Sequence, residues 1–462
     1  MSHEDPLSEF IHRQATELAI PGVAVGVWAE GREHYVCHGL TSIDNPLPVD
    51  PDTLFLLGSV TKTYTATALM RLVVDGRVDL EAPVRSYVRE LMLIDEHAAL
   101  RVTVLNLLNH TSGLDWALIF DSGEGDDALA RYVEKLAELP MIPSPGERPS
   151  YSQAGYNLAG RIVENVTGLT FERALAELVF EPLGLAHSFF ARDDIMTRRF
   201  VVGHNRGDDG TLSIARLWRR PRGDNPGGGL ASSAADQLRW ARFHLGAGHS
   251  ENGIHVLPTR ALHRMRQKTV TLRGSNLGDA IGIGWFLREI DGVRTFGHAG
   301  SANGQFADLL LVPDRDFAVV ALSNAGPDGI AFNHAVLRWA LEEYLGIEDR
   351  DPEPLPYVPA RARELVGTYA NDAMTFTVTT DGAGLTLDVE LKPELRAESN
   401  KELPPNPPPM PFGLLAGDRD EYIVASGAYA GQRGFFTRNA SGAVVGLDLA
   451  GRVARRVDVP VA

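Results

Sequence analysis

The feature that most restricts the fold is a break in the chain. From Glu348 to Ala360 it runs Glu-Asp-Arg-Asp-Pro-Glu-Pro-Leu-Pro-Tyr-Val-Pro-Ala, acidic and rich in proline, and the apolar residues on either side follow different periods. Proline fixes φ and removes an N–H donor, so this run cannot continue a helix or sit inside a sheet, and it reads as a linker. The 462 residues also exceed one typical domain. The expected organisation is a domain over residues 1–346, a linker over 347–360 and a second domain over 361–462.

Before the break, helical and strand patterns mix. Leu7 to Leu18 predicts a helix, stopped by Pro21-Gly22. Val23 to Ala29 and Glu33 to His38 predict two strands about Glu30-Gly31, a turn too short for a crossover, so the pair is antiparallel. From Val60 to Val74, Ala66, Leu69, Met70 and Val73 recur at helical spacing, and Asp75-Gly76 ends the run. Thr103 caps an apolar segment ending at Leu108. Further helices are predicted over Asp127–Leu139, Ala154–Thr167, Thr170–Val179, Ser232–Leu245 and Phe332–Leu345. Phe306–Val312 and Phe317–Leu322 read as a hairpin. Asp208 to Gly229 is rich in Arg, Gly and Pro and reads either as an irregular lid over a site or as a solvated loop. The sum is an α+β domain: helices with an antiparallel sheet drawn from both ends of the segment.

After the break, six short alternating segments take over: Gly367–Ala370, Thr375–Thr379, Leu385–Leu391, Glu421–Val424, Gly434–Arg438 and Val444–Leu449. They predict a small all-β barrel or meander, with Lys401–Pro411 as an exposed, stiff proline loop.

Charge and composition narrow the function. A net charge of -16 repels a phosphate backbone and gives no support for docking on an anionic membrane, so neither partner is expected. No run approaches the ~20 apolar residues that span a bilayer. Met1 to Glu9 lacks the basic start and apolar stretch of a signal peptide. The single cysteine, Cys37, allows no internal disulfide. A cytoplasmic, soluble protein is expected. Cys37 lies in an apparent strand, Tyr35-Val36-Cys37-His38, and reads as a small strand residue rather than a nucleophile. There is no His-Glu-x-x-His helix, metal-ligand cluster or Gly-rich phosphate loop, so no cofactor or metal is expected.

Three segments carry chemistry. In Gly58-Ser59-Val60-Thr61-Lys62, residues three apart on a helix share a face, so the Ser59 hydroxyl and the Lys62 amine can meet. A lysine serves as base for a serine only if burial or a neighbouring cation brings it toward neutrality. At a helix N-terminus, backbone N–H groups can also stabilise an oxyanion. Taken alone, the spacing is better explained by an N-cap serine and a surface lysine. In Pro145-Gly146-Glu147-Arg148-Pro149-Ser150-Tyr151-Ser152-Gln153, a loop delivers Tyr151, whose phenol can relay a proton, and Gln153, which can position an amide. The plainer alternative is a packed tyrosine and a helix cap. In Phe296-Gly297-His298-Ala299-Gly300-Ser301-Ala302-Asn303-Gly304, the glycines let a substrate approach the backbone. His298 can bond Tyr151 or substrate, or simply be a satisfied histidine in a tight turn.

Together these segments resemble the serine β-lactamase and penicillin-binding-protein superfamily. Within it, the likeness is to class C β-lactamase-like esterases, D-stereospecific aminopeptidases and penicillin-binding-protein-type thioesterases. Supporting phrases are Leu107-Leu108-Asn109-His110-Thr111-Ser112-Gly113-Leu114, Glu181-Pro182-Leu183-Gly184-Leu185, and Gly228-Gly229-Leu230-Ala231-Ser232-Ser233-Ala234-Ala235-Asp236, and the resemblance covers about residues 7–346. It implies that Ser59 is acylated, that Lys62 is its base and that Tyr151 shuttles the proton. His298-Ala299-Gly300 stands where β-lactamases carry Lys-Thr-Gly, which argues against a dedicated β-lactamase. Gln153 stands where the family has Asn. The resemblance also implies an oxyanion hole of two backbone N–H groups, one from Ser59 and the other from the strand after His298, near Asn303 or Gln305. The C-terminal part, about 361–460, resembles the lipocalin-like barrel found on some of these enzymes; a barrel can hold a small ligand, but the role expected here is to shape or cover the cleft. Arg433, Arg438 and Arg452 are candidates for a substrate carboxylate.

The implied activity is a serine hydrolase or acyltransferase forming an acyl-enzyme from an ester, an amide or a D-residue peptide. Its substrate is a small molecule or short peptide, carrier-bound or thioester-activated in one version. The alternatives are a thioesterase that macrocyclises a nonribosomal peptide, and a noncatalytic binding protein on the same fold.

Overall fold

The computed structural model describes residues 5–114, 120–139, 141, 144–207, 209–218, 221–246, 248, 253–398, 406–417 and 420–457. The first helix, α1 (Pro6–Glu17), starts where the Asp5 side chain accepts the Leu7 N–H, and it buries Leu7, Ile11 and Ala15 on one face. Strands β1 (Gly22–Ala29) and β2 (Arg32–Gly39) follow, antiparallel. Their two-residue turn puts both Glu30 and Gly31 at positive φ, the backbone that matches the twist of a hairpin.

The helical layer is built on α2 (Thr61–Val74), α3 (Gln153–Thr167) and α4 (Ala234–Leu245). Thr103 caps its short helix, as its sequence position predicts, through a reciprocal bond with Asn106. The remaining strands are β3 (Val270–Thr271), β4 (Ala280–Ile281), β5 (Phe286–Ile290), β6 (Val293–Ala302), β7 (Gln305–Val312) and β8 (Phe317–Ser323), and α5 (Asp328–Leu345) closes the unit. The sheet is antiparallel, in the order β2-β1-β8-β7-β6-β5-β4-β3, so its two ends of chain meet at β1 and β8. Both faces are buried, and β8 shows why alternation carries no polar side. Phe317, Val319 and Ala321 pack toward α1 and α5, while Ala318, Val320 and Leu322 pack toward the helical layer. Pairing of β5 with β6 ends at Phe286 and Gly297, whereas β6 pairs with β7 as far as Ala302. From His298 onward β6 is therefore an edge.

The C-terminal strands are β9 (Gly367–Ala370), β10 (Met374–Thr380), β11 (Leu385–Leu391), β12 (Met410–Leu414), β13 (Glu421–Val424), β14 (Arg433–Arg438), β15 (Val444–Leu449) and β16 (Arg452–Arg456). Each pairs antiparallel with the next, and β16 returns to β9 to close the barrel. Its interior is filled by side chains, among them the rings of Tyr369, Phe412, Tyr422 and Phe436, which meet tilted or edge-on with centroids 5.0–6.3 Å apart.

Two expectations need correction. The barrel has eight strands, not six. Met410–Leu414, placed in sequence at the end of a proline loop, is a strand that turns Met410 and Phe412 inward and leaves Pro411 exposed, and the prolines masked its alternation. Residues 401–405 lie outside the described residues. Arg452–Arg456 is also a strand, burying Val453 and Ala454 between arginines. The segment Asp208–Gly229 is not irregular throughout. Leu212–Ile214 is a strand, and Asn225–Gly228 is a helical turn with Asn225, Pro226 and Gly227 buried. Residues 208, 219 and 220 lie outside the described residues. Among the described residues no helix is long and apolar enough to cross a membrane.

Candidate active site

The site begins where the chain turns into α2. Gly58 has φ +51°, and a Cβ there would stand 2.5 Å from the Ser301 nitrogen, so only glycine lets this turn press against β6. Ser59 follows in a single 3₁₀ turn, Gly58–Val60. Thr61 fixes that turn from behind, donating from Oγ1 to the Gly58 carbonyl at 2.6 Å and accepting the Leu230 N–H at 3.2 Å. One helical turn after Ser59, Lys62 is fully buried. Its Nζ donates to Ser59 Oγ at 3.1 Å, to Gln153 Oε1 at 2.7 Å and to the Gly227 carbonyl at 2.6 Å. These three acceptors are all uncharged.

Gln153 is the first residue of α3, set by the Ser152 cap, whose Oγ accepts the Gly155 N–H at 3.0 Å. Its Oε1 is taken by Lys62. Its Nε2 is buried and has no hydrogen-bond partner among the described residues. Gly227 makes room for that amide, since a Cβ there would come within 2.0 Å of Nε2.

Tyr151 is buried at the base of the same loop, and its backbone N–H donates to the Gly451 carbonyl at 2.8 Å. Lys62 Nζ lies 4.9 Å, and the Arg452 guanidinium carbon 5.1 Å, from the Tyr151 ring centroid. Both are within the range of a cation–π contact. The loop is clamped by His110, whose ring packs tilted against Tyr151 with centroids 4.3 Å apart. His110 Nδ1 accepts the Ser152 N–H at 3.0 Å and its carbonyl accepts the Ser150 N–H at 2.8 Å. Burial first, then Lys62, His298 and Arg452, hold this imidazole well below the usual histidine range, so it is neutral and can accept at Nδ1.

His298 sits on the open stretch of β6, with its ring centroid 6.4 Å from that of Tyr151. Burial, and then the Lys62 charge, pull it down to about 3. It is therefore a neutral imidazole, and Nδ1, 2.6 Å from the Ala299 carbonyl, is assigned as the protonated nitrogen because only an N–H satisfies that acceptor. A Cβ on Gly300 would lie 2.0 Å from the Leu57 carbonyl oxygen and 2.8 Å from Ser59 N.

Ser59, Lys62, Tyr151, Gln153, His298 and Gly300 thus come together. Asn303 and Gln305 do not join them. Asn303 Oδ1 accepts from Asn205 at 3.0 Å, and Gln305 Oε1 accepts the Leu56 N–H at 2.8 Å, so both side chains brace the ends of β6 and β7. Cys37 is a partly buried strand residue, and burial pushes its thiol up to about 12, out of nucleophile range.

A cavity of about 280 Å³ opens at Ser59, Tyr151 and His298. Its opposite wall belongs to the barrel: Met374, Phe376, Val389, Tyr429, Leu449 and Arg452. The approach is made by a two-residue turn, Ala450 and Gly451, both at positive φ, which carries the Gly451 carbonyl to Tyr151. Of the three arginines singled out in sequence, Arg452 meets this cavity. Arg433 lines a neighbouring one of about 620 Å³, and Arg438 is engaged by Asp420 and Glu364. His110 carried a family phrase but no evident role in sequence. The Gly227 and Gly451 carbonyls are backbone acceptors, which leave no side-chain signature. Among the described residues, no group of three or more metal-ligating side chains gathers.

A profile described as Beta-lactamase matches residues 7–341. The chain is 34% identical over 368 residues to Penicillin-binding protein 4 of Amycolatopsis lactamdurans, covering 77% of this chain and 95% of that one. Among solved structures, SurE superposes with a TM-score of 0.76 at 25% identity over 98% of both chains. SurE with D-Leu does so with a TM-score of 0.73, at the same identity and coverage.

Proposed function

This chain belongs to the beta-lactamase family, and from that membership we propose that it is a serine acyl-transfer enzyme whose nucleophile is Ser59. The observation that carries the reading is the 3.1 Å contact between Ser59 Oγ and the buried Lys62 Nζ. In acylation, Oγ bonds the carbonyl carbon of an ester, amide or thioester, and Lys62, required as an uncharged amine at that moment, takes the Oγ proton. Tyr151, beside Lys62, passes a proton to the departing group as its bond to the carbonyl breaks. The oxyanion is held by the N–H of Ser59 and that of Ser301, whose nitrogen lies against the Gly58 turn. Gln153 locks Lys62 through its oxygen and offers its unpaired nitrogen to a substrate carbonyl. Water or an amine then takes the acyl group.

The substrate class is a short acyl donor rather than a polymer, because the barrel covers the far side of the cavity. SurE, which superposes over 98% of both chains, has been solved with D-Leu, which supports a D-configured residue near the reacting carbonyl. His298 in place of a lysine is neutral and offers no cation to the carboxylate of a β-lactam, so β-lactam hydrolysis is the weaker activity. Treatment with a fluorophosphonate or a β-lactam, followed by intact-mass analysis, tests the proposal. We expect a single adduct, absent from Ser59→Ala, and equal labelling of both proteins would end it.

A second reading has the acyl group leave to an amine of its own chain, giving a macrocycle. The roofed, mostly apolar cavity favours it, because the barrel wall shields the ester from water. A peptidyl thioester analogue separates the two, since cyclic product marks the cyclase and free acid the hydrolase.

A further inference from the structure

Asp308 is a buried carboxylate that the chemistry above does not use. It lies on β7, paired directly with Ala299 of the His298-Ala299-Gly300 segment, and its side chain lines the same cavity as Ser59. It also lines the adjoining 620 Å³ cavity, so it stands where the two spaces meet. One oxygen, Oδ2, accepts from Asn333 Nδ2 on α5 at 2.9 Å. The carboxylate makes no direct ion pair among the described residues; His334, which shares the cavity wall, acts on it only as a nearby charge. Burial pushes it up to about 6, against the smaller pull of the His334 charge and the Asn333 hydrogen bond, so near neutral pH it is largely ionised with no salt-bridge partner among the described residues.

A buried charge of this kind is costly unless something of opposite sign completes it. The barrel wall of that cavity is apolar at Met374, Phe376 and Val389, and its one arginine, Arg452, lies against the Tyr151 ring and makes no ion pair with Asp308 among the described residues. Gly300 abuts the Ser59 nitrogen, and one residue step of about 3.3 Å back along β6 and one strand spacing of about 4.8 Å lead from it to Asp308, whose side chain turns toward α5 at the open edge of the sheet. That span fits a positive group on the residue that bears the reacting carbonyl, or on the one before it.

We propose that Asp308 is an ammonium subsite: it receives the free, protonated amine of the acyl donor and thereby selects aminoacyl and N-terminally unblocked peptidyl substrates. The inference rests on Ser59 being the acylated residue. In the second reading above, the same carboxylate holds the acceptor amine before it attacks.

The test is a pair of p-nitrophenyl esters of one D-amino acid, one with a free amine and one N-acetylated, compared as the ratio of their kcat/KM values. We expect the intact protein to favour the free amine. In Asp308→Asn, which keeps the shape and the Asn333 contact, the ratio falls about tenfold or more, the worth of one hydrogen bond to a charged group. Asp308→Ser serves as a second variant. A partly misfolded protein loses both rates together and leaves the ratio in place, so an unchanged ratio in both variants, or no preference in the intact protein, overturns the subsite. If the N-acetyl ester still acylates Ser59, the acyl-transfer reading survives that failure. If neither ester acylates Ser59, both readings fall.

Discussion

Tyr151 and Gly451 are joined by a backbone hydrogen bond of 2.8 Å, N–H of the first to carbonyl of the second, across 300 positions of sequence. The bond ties the loop bearing the phenol to the last hairpin of the barrel. The next residue of that hairpin, Arg452, brings its guanidinium to 5.1 Å from the Tyr151 ring. The barrel is therefore part of the wall of the cavity at Ser59.

Replacing Arg452 with alanine tests that statement. A cation–π contact of about 0.5–2 kcal/mol corresponds to roughly a twofold to thirtyfold effect on rate if it acts in the transition state. We expect kcat on an activated ester to drop within that range, with the melting temperature of the barrel little moved. A drop that follows the melting temperature would assign Arg452 to folding alone.

Lys62→Met keeps a buried, unbranched side chain while removing the amine. Loss of a positioned general base costs about 10²–10⁴ in rate. We expect steady-state turnover to fall by such a factor and labelling of Ser59 by a fluorophosphonate to slow in parallel. Retention of the far-ultraviolet circular dichroism spectrum would show that packing survives. Turnover close to that of the intact protein would remove Lys62 from the mechanism.

Gly300→Ala should act on Ser59 without touching its chemistry. The added methyl lies 2.0 Å from the Leu57 oxygen, so β6 and the turn bearing Ser59 must separate. Overpacking of this sort costs about 1–3 kcal/mol. We expect a lower melting temperature together with a disproportionate loss of acylation, read by stopped-flow burst kinetics.

Asp448 gives a prediction in pH. It is buried beneath the Ala450-Gly451 turn, and burial pushes it up to about 7 despite Arg148 and Arg452 nearby. An acid whose folded pKa is raised holds its proton more tightly in the native state. The stabilisation that this provides is complete below the unfolded value near 4 and is lost as pH rises to about 7, at about 1.4 kcal/mol per unit. Asp448→Asn removes the loss and keeps an acceptor for the Gly451 N–H, which Asp448 Oδ1 holds at 3.2 Å. We expect the variant to melt higher than the intact protein at pH 8, and the advantage to vanish at pH 4. The same advantage at both pH values would contradict the assignment.

Much of this architecture is legible in the residues. The β1–β2 hairpin, α2 and the β7–β8 hairpin follow from local period and turn chemistry, which act within a few positions. The meeting of Ser59 with Lys62 is equally local. What could not be read are contacts between distant parts made by backbone atoms. The Tyr151–Gly451 bond is one such contact; the side chains of Asn303 and Gln305, singled out for positioning a substrate, are likewise engaged far off in sequence, by Asn205 and the Leu56 N–H. The Met410–Leu414 strand was hidden because closure of a barrel supplies pairing that proline-rich sequence does not advertise.

Gln153 has one end committed and the other idle: its oxygen serves Lys62, and its nitrogen, shut away from solvent, bonds nothing among the described residues. A molecule entering the chamber either presents an oxygen to that nitrogen or leaves an existing debt unsettled. Discrimination can then come from what a poor guest fails to repair, so that compounds of matching size and greasiness but without the acceptor are turned away by omission.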